Sequence, residues 1–301
     1  MATQNEKQNA PRPAATVVLT REHAGELQVY LLKRSTKSSF MAGNYVFPGG
    51  VLDAGDDDGN HWYDHVDLNL QELSQRLGGS LSAKEVLPYG VAAIRETFEE
   101  AGVFLGYREA QTTTELEKLN RIRLDANLSD GWLQDLIKTR KWTLSFSGLY
   151  RWSHWVTPDK MKKRFDTRFF ISCMPSDQVC RPDNRETTHG VWISPQKGLA
   201  GNLSEDFPLS PPTVVTLHEL LSYRNLNELI HHAAQKSWGE ALMPRLAFAD
   251  KDAVIVEPWD PMYGHAEIHL TGEELAQKRV DVGQPFSRLW HHEGIWRPVR
   301  F

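Results

Sequence analysis

The sequence predicts an α+β fold in a single domain, and three observations lead there. Short β-rich runs and helical runs are mixed along the whole 301 residues. The composition, 40% hydrophobic and 24% charged, is that of an ordinary globular chain with enough apolar mass for a sizeable core. No internal repeat, low-complexity linker or sharp composition break divides it, so one elaborated domain is simpler than two. The 34 Lys+Arg against 39 Asp+Glu leave a net charge of -5. That balance argues against a nucleic-acid backbone as partner, since such domains are usually strongly basic. No apolar run reaches the roughly 18–20 residues of a membrane helix, so no membrane partner is expected. Two cysteines, Cys173 and Cys180, cannot build a disulfide framework or a four-cysteine zinc ribbon, which points to a reducing compartment.

The elements follow in order. Residues 1–13 are polar, contain two prolines and lack an apolar core, so they read as a loose tail rather than a signal peptide. Ala15–Leu19 and Leu27–Lys33 read as strands, with the polar Glu22–Glu26 suiting a hairpin between them. Tyr45–Phe47 is a short apolar piece stopped by Pro48-Gly49-Gly50, and an acidic turn-rich stretch follows at 53–60. Leu68, Leu70, Leu73 and Leu77 suggest a short helix. Pro88 is expected to open a helix that runs to Ala101, with Gly102 in the C′ position. Segments 116–124 and 131–138 read as helices. Segments 144–150, 168–174 and 187–193 read as strands. Beyond them, 213–223 and 226–236 read as helices and 253–256 as a strand. Cys173, on one of these strands, is expected to be a buried small side chain.

The chemistry lies in the helix through residue 101. At about 100° per residue, Glu96, Glu99 and Glu100 fall at i, i+3 and i+4 on one face, while Val91, Ile94 and Phe98 form a neighbouring apolar stripe. Taken alone, such a face is a solvated acidic surface. Three carboxylates so close repel one another, and hard divalent cations bound through oxygen would compensate. Arg95 could hold one carboxylate from the side.

The wider pattern decides between these readings. Arg95-Glu96-x-x-Glu99-Glu100-x-Gly102-Val103 resembles the second half of the Nudix box, and Phe47-Pro48-Gly49-Gly50-Val51-Leu52-Asp53 resembles its first half. The chain departs from the box in three ways. Asp56 stands where the box has a glutamate, 38 residues rather than seven separate Asp56 from Arg95, and Thr97 replaces an aliphatic residue. The excess is an insertion near 57–87. Split boxes of this kind resemble the coenzyme A diphosphatase branch of the Nudix hydrolases, of the nucleoside diphosphate-linked moiety X motif 19 type. Arg34, Ser35, Gly43 and Phe47–Gly50 fit a related coenzyme A signature, with Leu32 and Ser39 departing from it.

The resemblance implies a Nudix α/β/α sandwich with a mixed sheet over residues 14–301, an insertion inside the box and a C-terminal helical extension from about 205. It implies Mg²⁺ or Mn²⁺ held by Glu96, Glu99, Glu100 and the Gly50 carbonyl, with Arg95, Glu99 and Glu100 catalytic. Arg34, Phe47 and Gly49 would bind substrate, Arg34 by pairing with phosphate oxygens. Glu186 or Asp56 would serve as general base or accessory carboxylate, and Asp56, Asp53 or Glu85 as the partner of Arg95. The reaction implied is hydrolysis of the diphosphate of coenzyme A or acyl-coenzyme A. The alternatives are a diphosphatase for ADP-ribose or NADH, or a non-catalytic ligand-sensing module, which would not need the intact glutamate set. The partner is a small molecule, the oligomeric state is left open with a homodimer among the candidates, and the expected setting is the cytoplasm of a bacterium. His61 and His65, four apart, lack a third metal ligand at a convincing spacing. Trp152 and Trp155 read first as core and second as pocket walls.

Overall fold

The first strand, β1 (Arg12–His23), is exposed at its two ends and buried on both faces through its middle, at Ala14, Ala15, Val17, Val18, Leu19 and Thr20. A strand reads this way when both faces of its sheet are covered. It turns at Ala24 and Gly25, both with positive φ (51° and 76°), into β2 (Glu26–Arg34), as the twist of a two-residue hairpin requires. The computed structural model describes residues 10–38, 41–108, 113–125, 128–129, 131–140 and 142–301. Residues 1–9 of the expected tail and Ser39 lie outside them. Arg12 and Pro13, expected within the tail, belong to β1. The Arg12 N–H donates to the Arg164 carbonyl and the Pro13 carbonyl accepts from Leu52 N–H.

Among the described residues the main sheet has seven strands. To β1 and β2 it adds β3 (Tyr45–Val46), β4 (Gly49–Val51), β7 (Tyr150–Val156), β8 (Phe165–Cys173) and β9 (Thr187–Ile193). β1 and β8 run parallel while the other pairs are antiparallel, so the sheet is mixed as expected. A small ladder, β5 (Gly106–Tyr107) with β6 (Thr143–Leu144), lies outside it.

Strand alternation sorts the core into two layers. Ala15, Val17, Leu19, Tyr30 and Leu32 face helix α1 (Ala83–Ala101). Trp62, Leu73 and Leu77 of the insertion join that layer, as do α2 (Thr113–Asp125) and α3 (Trp132–Arg140) through Leu116 and Leu133. Val18, Val29 and Leu31 face the other way, onto α4 (Pro195–Leu203), α5 (Pro211–Leu220) and α6 (Leu226–Gln235).

Three expectations are corrected. Helix α1 begins at Ala83, not at Pro88. Ser82 and Glu85 form a reciprocal capping box, and Pro88 sits inside the helix. Pro88 cannot bond the carbonyl four residues back, that of the exposed Lys84, which water can reach. Segment 144–150 is not one strand. Ser145 turns it through a 3₁₀ turn at Phe146–Gly148, held where Ser147 N–H and Oγ–H donate to Asp67 at 2.9 and 2.5 Å. The C-terminal extension is not only helical. After α6 comes a four-stranded antiparallel sheet of β10 (Arg245–Ala249), β11 (Asp252–Val256), β12 (Arg288–His292) and β13 (Ile295–Val299), packed on the short α7 (Gly272–Gln277). Charged residues masked its strand pattern. Arg288 is buried against Asp260 at 2.7 Å, and Arg297 pairs with Glu205 and Glu293 at 2.7 and 2.9 Å. Among the described residues, no helix is long and apolar enough to cross a membrane.

Candidate active site

Strand β4, reached from β3 through Phe47 and Pro48, crosses the glutamate face of α1, and contact is close because Gly49 and Gly50 stand in it. A Cβ on Gly50 would run into the Glu96 carboxylate, and one on Gly49 into the backbone of Ala15 and Thr16. Gly49 N–H donates to Glu100 Oε2 at 2.9 Å.

Arg95 is the hub beneath this face. Its Nε and Nη2 donate to the two carboxylate oxygens of Asp56 at 3.0 and 2.8 Å, and Nη2 also reaches the Val51 carbonyl at 2.9 Å. Nη1 donates to Glu96 Oε1 at 2.9 Å and Glu99 Oε2 at 3.0 Å. Of the three partners considered for Arg95, Asp56 is therefore the principal one. Asp53 is only 3.6 Å away and largely exposed, and Glu85 is spent on the helix cap. Asp56 is buried and also caps its own turn by accepting from Asp53 N–H at 2.8 Å. Both of its oxygens accept from the guanidinium.

The electrostatics follow from burial. Desolvation pushes Glu96 up to about 7, with the charges of Glu99 and Asp56 adding to the rise and Arg95 opposing it. Desolvation also raises Glu99, against the hydrogen bonds from Trp132 and Arg95. Glu100 is raised well above the carboxylate range by burial and by the Glu96 charge, while Gly49 N–H and Arg34 oppose that rise. Burial works against the charge on Arg95, but the Asp56 hydrogen bond and the surrounding carboxylates outweigh it and raise its pKa.

These side chains open onto a cavity of about 500 Å³. Apart from Asp56, every other predicted site residue lines it: Arg34, Phe47, Gly49, Gly50 and Glu186 stand around the face of Glu96, Glu99 and Glu100. Arg34 is held by Ser38 Oγ, which accepts from its Nε and Nη2 at 3.2 and 3.1 Å. Trp155 is a cavity wall, whereas Trp152 is core. Cys173 is exposed rather than buried, because it is the last residue of β8. The His61 and His65 rings lie 5.1 Å apart. No group of three or more His, Cys, Asp or Glu is gathered as a metal cage among the described residues. The glutamates nevertheless suit a hard cation. They are oxygen donors, they raise one another's pKa, and Gly50 leaves the space over Glu96 that a side chain would fill. Arg95 engages one oxygen of each of Glu96 and Glu99, and a carboxylate has lone pairs enough to take a cation as well.

Two site residues gave no sequence signal. Trp132, on α3, donates its indole N–H to Glu99 Oε1 at 2.6 Å and packs against Phe98 with ring centroids 5.1 Å apart. Glu257, just past β11, belongs to the cavity wall although it lies 154 residues beyond Val103, the end of the box. Neither position stands in a motif, and only the packing of remote elements brings them here.

A glycine loop crossing an Arg-Glu-x-x-Glu-Glu helix on a mixed, two-sided sheet defines the site of a Nudix hydrolase. Residues 2–220 match the family model of the NUDT19 Nudix domain, and the chain belongs to that family. It is similar to the acyl-coenzyme A diphosphatase NUDT19 of Xenopus laevis, with 29% identity over 89% of this chain and 82% of that one. The protein of the same name from Homo sapiens is 24% identical over 92% and 84%. These vertebrate relatives lend the expected bacterial setting no support. Among solved structures, a NUDIX hydrolase from Alicyclobacillus acidocaldarius aligns with a TM-score of 0.58 at 23% identity, over 77% of this chain and 99% of that one, which bears on the fold.

Proposed function

We propose that this Nudix hydrolase cleaves the diphosphate of coenzyme A or acyl-coenzyme A, releasing 3′,5′-ADP and 4′-phosphopantetheine or its acylated form. The observation that carries the reading is a single cavity that joins the glutamate face of α1 to apolar walls such as Phe47, Trp155 and Phe169. A diphosphate fits the first and a long aliphatic arm the second. The names of the relatives agree with this substrate.

Glu96, Glu99 and Glu100 are the groups that would hold Mg²⁺ or Mn²⁺, with the Gly50 carbonyl beside them. Bound there, a divalent ion neutralises diphosphate charge and activates water. The protein supplies the rest. Arg95 and Trp132 orient Glu96 and Glu99. Arg34 pairs with a phosphate oxygen. Glu186, exposed at the cavity and close enough to add to the rise of Glu100, accepts the proton of the attacking water. The water oxygen bonds to one phosphorus, and the bridging P–O bond breaks toward the other phosphate.

The test is incubation with Mg²⁺ or Mn²⁺ and a panel of coenzyme A, acyl-coenzyme A, ADP-ribose, NADH and nucleoside triphosphates, with products identified by mass. Cleavage of the coenzyme A members is expected, and Glu186→Gln should lower their kcat by about 100-fold or more. Cleavage of ADP-ribose but not coenzyme A would refute the substrate, and full activity of the variant would refute the base.

A further inference from the structure

The cavity runs on along β1 past the glutamate face. Alternate residues of a strand share a side, and Arg12, Ala14 and Thr16 of β1 all line the cavity, beside Phe165, Thr167 and Phe169 of the parallel β8. The glutamates lie over the inner end of this row. Thr16 pairs with Gly49, whose N–H donates to Glu100, and Ala15 pairs with Gly50, which abuts the Glu96 carboxylate. Next along, Ala14 pairs with Val51, whose carbonyl accepts from Arg95. Arg12 stands at the outer end, about 13 Å of strand from Thr16. It is exposed, and its guanidinium pairs with no carboxylate among the described residues. Its N–H donates to the Arg164 carbonyl at 2.9 Å, which ties to it the loop whose Lys163 also lines the cavity.

The cations of the cavity differ in what they can still bind. Arg95 is spent on Asp56, Glu96 and Glu99. Arg34 stands at the Glu100 end of the row, close enough to oppose the rise of that carboxylate, and so belongs with the diphosphate. Arg12 and Lys163 stand at the opposite end, past Val51. An arginine at a strand end is usually a surface group and no more. Here the strand register puts it in the wall of the substrate cavity. A guanidinium is a rigid fork that matches phosphate oxygens, and a phosphate monoester carries close to two negative charges at neutral pH. The diphosphate already has its cations at the glutamate face. Positive charge at the far end of the same cavity suits a further anion that the substrate carries elsewhere.

We propose that Arg12, with Lys163 beside it, is a specificity-determining residue that binds a phosphate monoester borne by the substrate apart from its diphosphate. This rests on the coenzyme A reading, in which that group is the 3′-phosphate of the nucleotide half, retained in the product 3′,5′-ADP. ADP-ribose and NADH lack it, so Arg12 separates coenzyme A from conjugates that share its adenosine diphosphate. The nucleotide half then lies toward the start of β1 and the 157–164 loop, which leaves the aliphatic arm to the walls formed by Phe47, Trp155 and Phe169.

The probe is 3′-dephospho-coenzyme A, which differs from coenzyme A by that phosphate alone. With Mg²⁺ or Mn²⁺, the unmodified chain should show a KM for 3′-dephospho-coenzyme A about tenfold or more above that for coenzyme A, with similar kcat. In Arg12→Gln the ratio of the two KM values should fall close to one, because the KM for coenzyme A rises. Arg12→Lys keeps the charge without the fork, and its ratio should lie between the two. Equal KM values in the unmodified chain overturn the proposal. So does a ratio that Arg12→Gln leaves unchanged, including one preserved by equal losses on both substrates. If Arg12→Gln does not fold, calorimetry on the unmodified chain reports from the ligand side: 3′,5′-ADP should bind more tightly than 5′-ADP, and equal affinities overturn the proposal. An unmodified chain that cleaves ADP-ribose but not coenzyme A removes the substrate reading and this inference together. Cleavage of coenzyme A without preference over its 3′-dephospho form removes this inference alone.

Discussion

Arg95 and Glu257 show two opposite ways of burying an ionisable side chain. Arg95 is surrounded by four carboxylates and keeps its charge. Glu257 has no hydrogen-bond partner among the described residues, and burial favours its uncharged form. The second case has a measurable consequence. The folded pKa of Glu257 lies near 8, above the ordinary carboxylate value of 4.5 that the unfolded chain recovers. Between those values the folded state holds a proton that the unfolded state lacks. Stability from this group is therefore full below pH 4.5 and falls as pH rises through 8, by up to about 1.4 kcal/mol per pH unit. Glu257→Gln does not titrate. Its melting temperature relative to the unmodified chain should rise from pH 5 to pH 8, and a constant difference over that range would show that the acid is already ionised or solvated.

At the scale of elements, the sequence exposed α1 well, because its chemistry and its packing share one short stretch. The apolar stripe of Val91, Ile94 and Phe98, all fully buried, and the glutamate face beside it were both legible at helical spacing. The start of the helix was not, because Pro88 is a strong opening signal and a weaker one, the Ser82–Glu85 box, was the one the fold used. Helices α2 and α3 read only as helices. In the structure they clamp the C-terminal end of α1. Arg123 Nη1 donates to the Glu99 carbonyl at 3.0 Å, Asn120 to the Gly102 carbonyl at 3.0 Å, and Trp132 to the Glu99 carboxylate. Trp132→Phe keeps the ring against Phe98 and deletes the donor. Mn²⁺ affinity measured by electron paramagnetic resonance should weaken about 10-fold or more, as expected for an outer partner of a ligand. An unchanged affinity would leave Trp132 a packing residue only.

For the whole molecule, the net charge of -5 and a polyanionic substrate look opposed until the acidic face is counted as a cation site. A ligand that binds only the folded state stabilises it by mass action, about 2.7 kcal/mol at a concentration 100 times its dissociation constant. Saturating Mn²⁺ should therefore raise the melting temperature of the unmodified chain by several degrees, and a chelator should reverse the rise. Glu99→Gln and Glu100→Gln should reduce this shift and abolish metal-dependent turnover while each still melts cooperatively. Full turnover in both variants would remove the glutamates from the mechanism.

The sequence by itself determined the family and most of the glutamate site, because the Phe-Pro-Gly-Gly loop and the Arg-Glu-x-x-Glu-Glu helix are local patterns whose residue types follow from the chemistry. It also determined the mixed α+β character and the β1–β2 hairpin, where alternation and turn residues agree. Only the tertiary structure decided that Asp56, across a 38-residue gap, is the partner of Arg95. It alone brought Trp132 to Glu99 and made the C-terminal extension a sheet with Glu257 in the cavity wall. The physical reason is common to all three. Hydrogen bonding, desolvation and burial depend on distance in space, and elements far apart in the chain become neighbours only when the two faces of the central sheet are covered.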